Sequence, residues 1–201
     1  MRTIVETIKT NVYTFDELSD KAKENACQQI GDSMTSDDLW YEPVLEDFIE
    51  HAASYGLEVD EENIRFSGFW SQGDGASFTC NNIDVVKCLH ALGIEIKEGN
   101  EKAVHDYIDA SIERVDWYYC HENTVVAKVF PYSYEFEGEN SDYIDSLAEM
   151  LEERLEDLKD DLCSDLYRDL EREYDFLHSE EYASEYKEIL FLEDGTIYEW
   201  N

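Results

Sequence analysis

The sequence predicts an α+β protein with a largely antiparallel sheet, several helices and one long acidic amphipathic helix. Apolar residues recur every three or four positions from about residue 141 to 178, which is the period of an amphipathic helix. The segments 63–80 and 111–136 have the composition of β-hairpins. Hairpins and helices that follow one another in this mixed order are typical of α+β folds. The 201 residues contain no internal repeat and no linker, which predicts a single domain.

The first elements are predicted to be a strand and two helices. Residues 3–15 are rich in β-branched side chains, which favours a strand. Ser19 is a suitable N-cap for the first helix, and Gly31 is expected to end it. The apolar face of this helix is formed by Ala22, Ala26 and Ile30. A second helix is predicted from about residue 38 to 55, where Gly56 ends it.

The first hairpin is predicted over residues 63–80. The run Gln72-Gly73-Asp74-Gly75 tolerates positive φ and is expected to form its turn. Trp70 falls within this hairpin, and because aromatic side chains on strands are usually part of a core, we expect it to be buried. Tyr118 and Tyr119, in a later predicted strand, fit either the core or an exposed protein interface.

Two short helices and a second hairpin are predicted next. The helices cover about 83–92, which ends at Gly93, and about 101–110. The second hairpin is expected to pair a strand over 111–120 with a strand over 123–136.

The longest predicted helix runs from about Ser141 to His178. It carries an apolar seam of about 30 residues, or roughly 45 Å at 1.5 Å per residue. The seam consists of Ile144, Leu147, Leu151, Leu155, Leu158, Leu162, Leu166, Leu170 and Tyr174. Such a seam fits packing against a sheet, and it equally fits a coiled coil with a second copy, so that a homodimer is a possible state. A C-terminal hairpin is predicted at about 187–200, with Asp194-Gly195 as its turn.

The charge of the chain is strongly negative. Fifty Asp and Glu oppose 15 Lys and Arg, which gives a formal net charge of −35 and an isoelectric point near 4.1. Hydrophobic residues still make up 43% of the chain, which is enough for a packed core. This charge repels phosphate, so direct nucleic-acid binding is excluded and binding to an anionic membrane surface is disfavoured.

The negative charge is densest in the long helix. Residues 141–186 contain 17 acidic and four basic residues, or about one carboxylate per 4 Å of helix axis, while one DNA strand carries a phosphate per roughly 3.4 Å. Like charges at i,i+4 destabilise a helix by roughly 0.2–0.5 kcal/mol per pair, which favours a use in binding. The expected solvent-facing row is Glu149, Glu153, Glu156, Asp157 and Asp160. The predicted partner-binding residues are Glu149, Glu152, Glu153, Glu156, Asp157, Asp160 and Asp161.

The alternatives to a binding role are a solvated acidic surface, as in halophilic hosts, and the binding of metal ions. The abundance of Tyr, Phe and Trp weakens the halophilic interpretation. A zinc site would have to be drawn from five scattered residues whose spacing matches no standard zinc module. They are Cys80, Cys88, His90, Cys120 and His121. We therefore predict no metal and no cofactor.

Catalytic motifs are absent from the sequence. There is no P-loop, no G-x-G-x-x-G and no H-E-x-x-H, and the G-x-S-x-G pattern fails because Phe69 occupies its first glycine position. The five cysteines are odd in number and form no CxxC pair, which predicts buried free thiols in a reduced cytosol. No signal peptide or membrane-spanning segment is recognised. The sequence thus predicts a cytoplasmic protein that is not an enzyme.

Two stretches resemble a known family. They are YTFDELSDKAKENA at 13–26 and FSGFWSQGDGASF at 66–78. Both are similar to small acidic proteins encoded by bacteriophages and prophages, many of them uncharacterised or labelled antitoxin-like. The resemblance covers about the first 80 residues and implies a phage setting, with the host cytoplasm as the place of action. It transfers no catalytic residue.

In that setting, the charge is similar to that of DNA-mimicking inhibitors of host defence. The resulting hypothesis is a nucleic-acid charge mimic that inhibits a nucleic-acid-binding defence complex, such as a CRISPR effector or a restriction enzyme, by occupying its basic surface. One alternative is an antitoxin-like protein that neutralises a basic partner protein. A second alternative is a metal-binding or enzymatic domain built around the 66–80 hairpin.

Overall fold

The structure is a computed structural model in which residues 9–36, 39–132 and 139–199 are described. It confirms the α+β class, with helices and short antiparallel strand pairs. The helices of the described residues are α1 Asp20–Met34, α2 Glu42–Ser54, α3 Val85–Ala91, α4 Glu101–Tyr107, α5 Glu139–Leu177 and α6 Glu180–Ala183. The strands are β1 Leu57–Glu58, β2 Ile64–Ser67, β3 Gly75–Phe78, β4 Asn82–Ile83, β5 Ile108–Arg114, β6 Val125–Pro131, β7 Leu190–Phe191 and β8 Ile197–Glu199.

The chain divides into two compact units. The first comprises Met1–Tyr41 and Arg172–Asn201, and the second comprises Glu42–Glu171, so α5 contributes residues to both. The single domain expected from the sequence stays a prediction. None of the helices in the described ranges is long and apolar enough to cross a membrane.

The core of the first unit forms around α1. Ser19 caps this helix as predicted, since its Oγ accepts a hydrogen bond from the N–H of Ala22 at 3.4 Å. The buried face contains the predicted Ala22, Ala26 and Ile30, and Cys27 and Gly31 are buried beside them. It lies in one cluster with Phe191 of β7, whose ring meets that of Phe15 edge-on at 6.2 Å. The predicted C-terminal hairpin is confirmed as the β7–β8 pair, with Gly195 at φ +85°, while Trp200 lies outside the described residues.

Gly31 does not end α1, so that prediction is wrong. The helix continues for three more residues to Met34. Gly31 is buried inside it, where an added Cβ would overlap the imidazole ring of His178. Glycine is therefore needed at this position because it lets two segments of the first unit approach closely. A positive φ is not the reason, because Gly31 does not have one.

The N-terminal strand is also corrected. Residues 3–8 of the predicted strand lie outside the described residues. Within 9–15, Tyr13 makes an isolated antiparallel bridge to Phe191, and Phe15–Glu17 forms a 3₁₀-helix. The Glu17 carboxylate accepts hydrogen bonds from the N–H and the hydroxyl of Thr14 at 2.8 and 3.0 Å, which turns the chain at this point.

The second unit begins with α2, which Gly56 ends at φ +86° as predicted. The helix starts at Glu42, later than expected, and the predicted start at Asp38 lies outside the described residues. The α3 helix was predicted correctly as well, and Gly93 follows it at φ +74°.

The first hairpin is confirmed, but its turn is longer than predicted. Strands β2 and β3 pair antiparallel, with Ile64 opposite Phe78 and Ser67 opposite Gly75. The connection spans residues 68–74, and the positive φ falls on Gly68 and not on the 72–75 run. Strands β1 and β4 form a further short antiparallel pair.

The second hairpin is shifted relative to the prediction. Strand β5 begins at Ile108, because α4 ends at Tyr107 and not at residue 110. Residues 115–120, expected to extend the strand, form a loop together with His121, and β6 pairs with β5 over Val125–Pro131. Ile108, Ala110 and Ile112 are buried on β5. Residues 133–136 of the predicted strand lie outside the described residues.

Gly56 and Gly99 allow a test of close packing in the second unit. Both have positive φ, +86° and +85°, and alanine there costs roughly 1–2 kcal/mol of stability. A Cβ at Gly56 would lie 2.9 Å from the carbonyl oxygen of Asp84, whereas a Cβ at Gly99 would meet nothing within 4 Å. We therefore expect Gly56→Ala to lose about 1–3 kcal/mol more than Gly99→Ala in urea unfolding. Equal losses would show that the packing around Gly56 is looser than described.

Candidate functional site

The apolar seam of α5 is buried, as its spacing predicted. The residues buried along the seam are Ile144, Leu147, Leu151, Leu155, Leu158, Leu162, Leu166 and Leu170. Tyr174 is half-buried. The helix therefore turns its remaining faces, which carry most of its acidic residues, toward the solvent or toward polar partners.

Lys159 is a buried cation on α5 that the sequence analysis missed. Lys159 is only 1% exposed. Its Nζ lies 2.7 Å from Oε1 of Glu156 and 2.6 Å from Oδ1 of Asp160. The Glu156 contact is also a hydrogen bond, and the Asp160 contact is an ion pair. Nζ also donates to the carbonyl oxygens of Glu122 and Val125, both at 3.2 Å. The lysine thus ties α5 to the start of β6.

The protonation states of this cluster follow from its contacts. Burial by itself lowers the pKa of Lys159, but the contacts with Asp160 and Glu156 outweigh it and raise the pKa above its ordinary 10.5. Burial raises the pKa of Glu156, but the hydrogen bonds from Lys159 and from the N–H of Ala127 outweigh it and lower the pKa below 4.5. The lysine and the glutamate are therefore both charged at neutral pH.

Glu156 has a structural role that corrects its place in the predicted row. Its Oε2 accepts a hydrogen bond from the N–H of Ala127 at 2.7 Å, while its other oxygen binds Lys159. It thereby pairs a backbone donor of β6 with a side chain of α5. Glu156 and Asp160 are half-buried, so they are not simple members of a solvent-facing row. Their predicted role in partner binding stays a prediction.

A sequence signal for Lys159 exists. It lies four residues after Leu155, three before Leu162 and seven before Leu166, so its spacing places it on the buried face of the helix. A lysine at such a position has to find carboxylates within reach, and Glu156 and Asp160 are its neighbours at i−3 and i+1. By composition alone, Lys159 is only one of four bases among the 17 acidic residues of 141–186.

The other predicted carboxylates of α5 are exposed. Glu149, Glu152, Glu153, Asp157 and Asp161 have exposed side chains. Glu149, Glu153 and Asp157 follow one another at intervals of four, about 6 Å apart along the axis, and we call these three the acidic row. Within the described parts of the chain, no lysine or arginine forms an ion pair with a member of the acidic row.

A cavity of about 400 Å³ lies beside α5 in the second unit. Four carboxylates line it, from Asp74, Glu122, Asp160 and Asp161, and none of its described lining residues is basic. Tyr167 and Ser164 add hydroxyl groups. The cavity therefore suits a cationic group and disfavours an anionic one.

Metal and thiol chemistry receive no support from the described residues. Among them, no three His, Cys, Asp or Glu side chains are grouped as metal ligands, and this includes the set considered for zinc. All five cysteines are free and buried, as predicted. Burial raises the pKa of Cys88 and of Cys163 to about 12, so both remain protonated thiols near neutral pH.

Four aromatic side chains are exposed on two loops of the second unit. Trp70 is 75% exposed, Trp117 74%, Tyr118 83% and Tyr119 42%. The prediction that Trp70 is buried is wrong, because the connection between β2 and β3 is a long loop that carries this residue away from the strands. The sequence was compatible with either a core or an exposed position for Tyr118 and Tyr119. In the structure both side chains are exposed.

Comparison with known protein families gives a match. A family model described as a domain of unknown function, DUF8835, matches residues 40–180. This range is more than two thirds of the chain. The chain belongs to the DUF8835 family. The matched range contains Lys159, the acidic row and all four exposed aromatic residues, so the DUF8835 region includes every feature described above for α5 and the two loops. No curated protein and no solved structure matches the chain.

The anchoring role of Lys159 predicts a large effect of its removal. Lys159→Met leaves Glu156 and Asp160 without their cation, and we expect a loss of about 2–4 kcal/mol in urea unfolding at neutral pH. The matched control is Lys102→Met, which removes an exposed ion pair with Asp106 and is expected to change stability by less than about 1 kcal/mol.

The stability difference between the parent and Lys159→Met is also expected to depend on pH. The lowered pKa of Glu156 stabilises the fold above pH 4.5, and this contribution is lost as the pH falls through the folded-state value. The raised pKa of Lys159 stabilises the fold below pH 10.5, and this contribution is lost as the pH rises through the folded-state value. The stability difference between the parent and Lys159→Met is therefore expected to be flat near neutrality and to shrink at both extremes. A difference that grows below pH 4 would contradict this assignment.

Proposed function

We propose that this chain is a non-enzymatic inhibitor that binds a basic surface of a nucleic-acid-binding protein with the acidic row of α5. The observation that carries the proposal is the exposure of Glu149, Glu153 and Asp157 without an ion-pair partner among the described residues. Lysine and arginine side chains that normally contact phosphate would bind these carboxylates instead.

The geometry of a helix suits this mimicry. Carboxylates about 6 Å apart along one face present a line of negative charge with somewhat more than half the density of one DNA strand, whose phosphates are roughly 3.4 Å apart. The net charge of −35 adds a long-range field that attracts a basic partner and repels competing nucleic acid from the chain itself. Fast association that weakens steeply with salt follows from such a field.

The setting of the proposal is a phage-encoded protein in the cytoplasm of a bacterial host. It is supported by the resemblance of segments 13–26 and 66–78 to acidic phage and prophage proteins. In this setting the target would be a host defence complex that binds nucleic acid, such as a CRISPR effector or a restriction enzyme.

A second candidate function is antitoxin-like neutralisation of one basic partner protein. The four exposed aromatic residues favour it, because Trp and Tyr are the side chains that most often dominate protein–protein binding energy. The two candidates differ in their effect on nucleic acid. A mimic displaces DNA or RNA from its target, whereas an antitoxin-like protein binds its partner without displacing any.

The acidic row can be tested by neutralising it. The variant Glu149→Gln, Glu153→Gln, Asp157→Asn removes three charges, and the matched control Glu46→Gln, Asp47→Asn, Glu50→Gln removes the same three charges from exposed positions of α2. Nucleic-acid-binding proteins captured from a bacterial lysate at low salt are loaded with labelled DNA or RNA, and displacement is followed by fluorescence anisotropy.

We expect the parent to displace the nucleic acid and the α5 variant to need roughly tenfold more protein for the same effect. The α2 variant should stay within about twofold of the parent, because its row is intact although its net charge equals that of the α5 variant. Equal weakening of both variants would show that overall charge and not the row is responsible. Binding without displacement would favour the antitoxin-like function.

A further inference from the structure

The exposed rings of Trp70, Trp117, Tyr118 and Tyr119 form what we call the aromatic surface. It is built from the loop 68–74, which connects β2 and β3, and from the loop 115–121, which follows β5. Large rings on an acidic protein lose the hydrophobic stabilisation that burial would provide. The acidic row of α5 does not explain why four large rings are exposed together on two neighbouring loops.

The loop 68–74 is held in place by Asp74. Its carboxylate accepts hydrogen bonds from the backbone N–H groups of Trp70 at 2.9 Å and Ser71 at 2.6 Å. Gly68, with φ +39°, lies so close to this carboxylate that a Cβ there would overlap it. Trp70 is thus presented to solvent by a loop with a defined conformation.

The loop 115–121 is held in the same way. The N–H of Tyr118 donates to the carboxylate of Asp116 at 2.7 Å, and the guanidinium of Arg65 lies 3.5 Å from the carbonyl oxygen of Trp117. The guanidinium carbons of Arg65 and Arg114 lie 5.8 and 5.6 Å from the centre of the Trp117 ring, which is cation–π distance. Trp117 therefore has a fixed orientation even though most of its ring is exposed.

The two loops also contact each other. The ring of Tyr119 covers Gly73, where an added Cβ would overlap it, and it stacks on His121 with 5.5 Å between ring centres. Tyr118 meets Tyr119 edge-on at 4.7 Å. The contact of Tyr119 with Gly73 joins the two loops that carry the four exposed rings, and side chains held in place in this way lose less entropy when a partner binds.

The carboxylates around the patch define the chemistry of its partner. Asp74 and Glu122, which line the acidic cavity, belong to or directly follow the two aromatic loops. A guanidinium group stacks on aromatic faces and donates paired hydrogen bonds to carboxylates, so arginine matches both components. Nucleic acid and anionic lipid are repelled by the same carboxylates.

We infer that the aromatic surface, together with the adjoining acidic cavity, binds an arginine-bearing segment of a partner protein. The inference uses no member of the acidic row. It rests on the exposed rings that favour the second candidate function, and it deepens that candidate by naming the side chain that the rings recognise. Arginine side chains of the segment stack on the exposed rings of Trp70 and Tyr118, beside Trp117, and reach the carboxylates of the cavity.

The test uses three peptides with the same length and different side chains. Acetylated and amidated octapeptides of alternating glycine with arginine, lysine or citrulline are titrated into the full chain at physiological ionic strength. Binding is followed by calorimetry and by the indole NMR signals of the tryptophans. We expect the arginine peptide to shift the signals of Trp70 and Trp117, and to bind roughly tenfold tighter than the citrulline peptide and several-fold tighter than the lysine peptide.

The variant Trp70→Ala, Trp117→Ala, Tyr118→Ala is expected to bind the arginine peptide at least about tenfold more weakly. Its melting temperature should fall only slightly, because the rings are largely exposed and the fold loses little more than the contacts of Trp117 with Arg65 and Arg114 and of Tyr118 with Tyr119. Tyr119 is left intact because its ring packs on Gly73. The control Phe130→Ala, Tyr198→Ala removes two exposed rings elsewhere and should bind like the parent.

The α5 variant separates this inference from the proposed function. If Glu149→Gln, Glu153→Gln, Asp157→Asn loses the arginine peptide while the triple aromatic variant keeps it, the peptide binds at α5 and the inference fails while the proposed function survives. Equal binding of the arginine and citrulline peptides would also overturn it. So would self-association of the parent in ultracentrifugation that the triple aromatic variant abolishes, because the partner would then be a second copy.

Discussion

The contact of Lys159 with Glu156, Asp160 and two backbone carbonyls determines which face of α5 reaches the solvent. A buried ammonium group has to keep these acceptors, because an unpaired charge in the interior is strongly unfavourable. The rotation of the helix about its axis is fixed as a result. A shift by one position, about 100°, would move the leucine seam toward solvent and acidic residues toward the core.

The same contact also positions the β5–β6 hairpin. The carbonyl of Val125 and the N–H of Ala127, at the start of β6, are both bound by side chains of α5. The loop 115–121 is followed by a short 3₁₀-helix, Glu122–Thr124, and then by this strand. Because Lys159 binds the carbonyl oxygens of both Glu122 and Val125, the end of the loop that presents Trp117 and Tyr118 is anchored to the helix. One buried cation thereby supports both surfaces proposed for binding, the acidic row and the aromatic surface.

Local signals in the sequence predicted local structure well. The 3.6-residue period placed the α5 seam, the Ser19 cap began α1, and glycines ended α2 and α3, because each of these depends on residues within one or two turns. The failures involve residues far apart in the chain. Gly31 was predicted to end α1, but it lies inside the helix because His178 packs on it. Trp70 was predicted to be in the core, but it is exposed on a loop that contacts the neighbouring loop. The exposed carboxylates could be predicted from helical periodicity, but the internal role of Glu156 depends on a strand 29 residues away.

Carboxylate footprinting tests the central claim most directly, namely that the acidic row of α5 is the face that binds a basic partner. Exposed carboxylates are coupled to glycine ethyl ester in the free chain and in its complex with a captured nucleic-acid-binding protein, and the labelled sites are identified by mass spectrometry. We predict that Glu149, Glu153 and Asp157 are labelled rapidly in the free chain and protected in the complex, while the exposed acids of α2 react equally in both. Labelling of the acidic row that is unchanged in the complex would contradict the account.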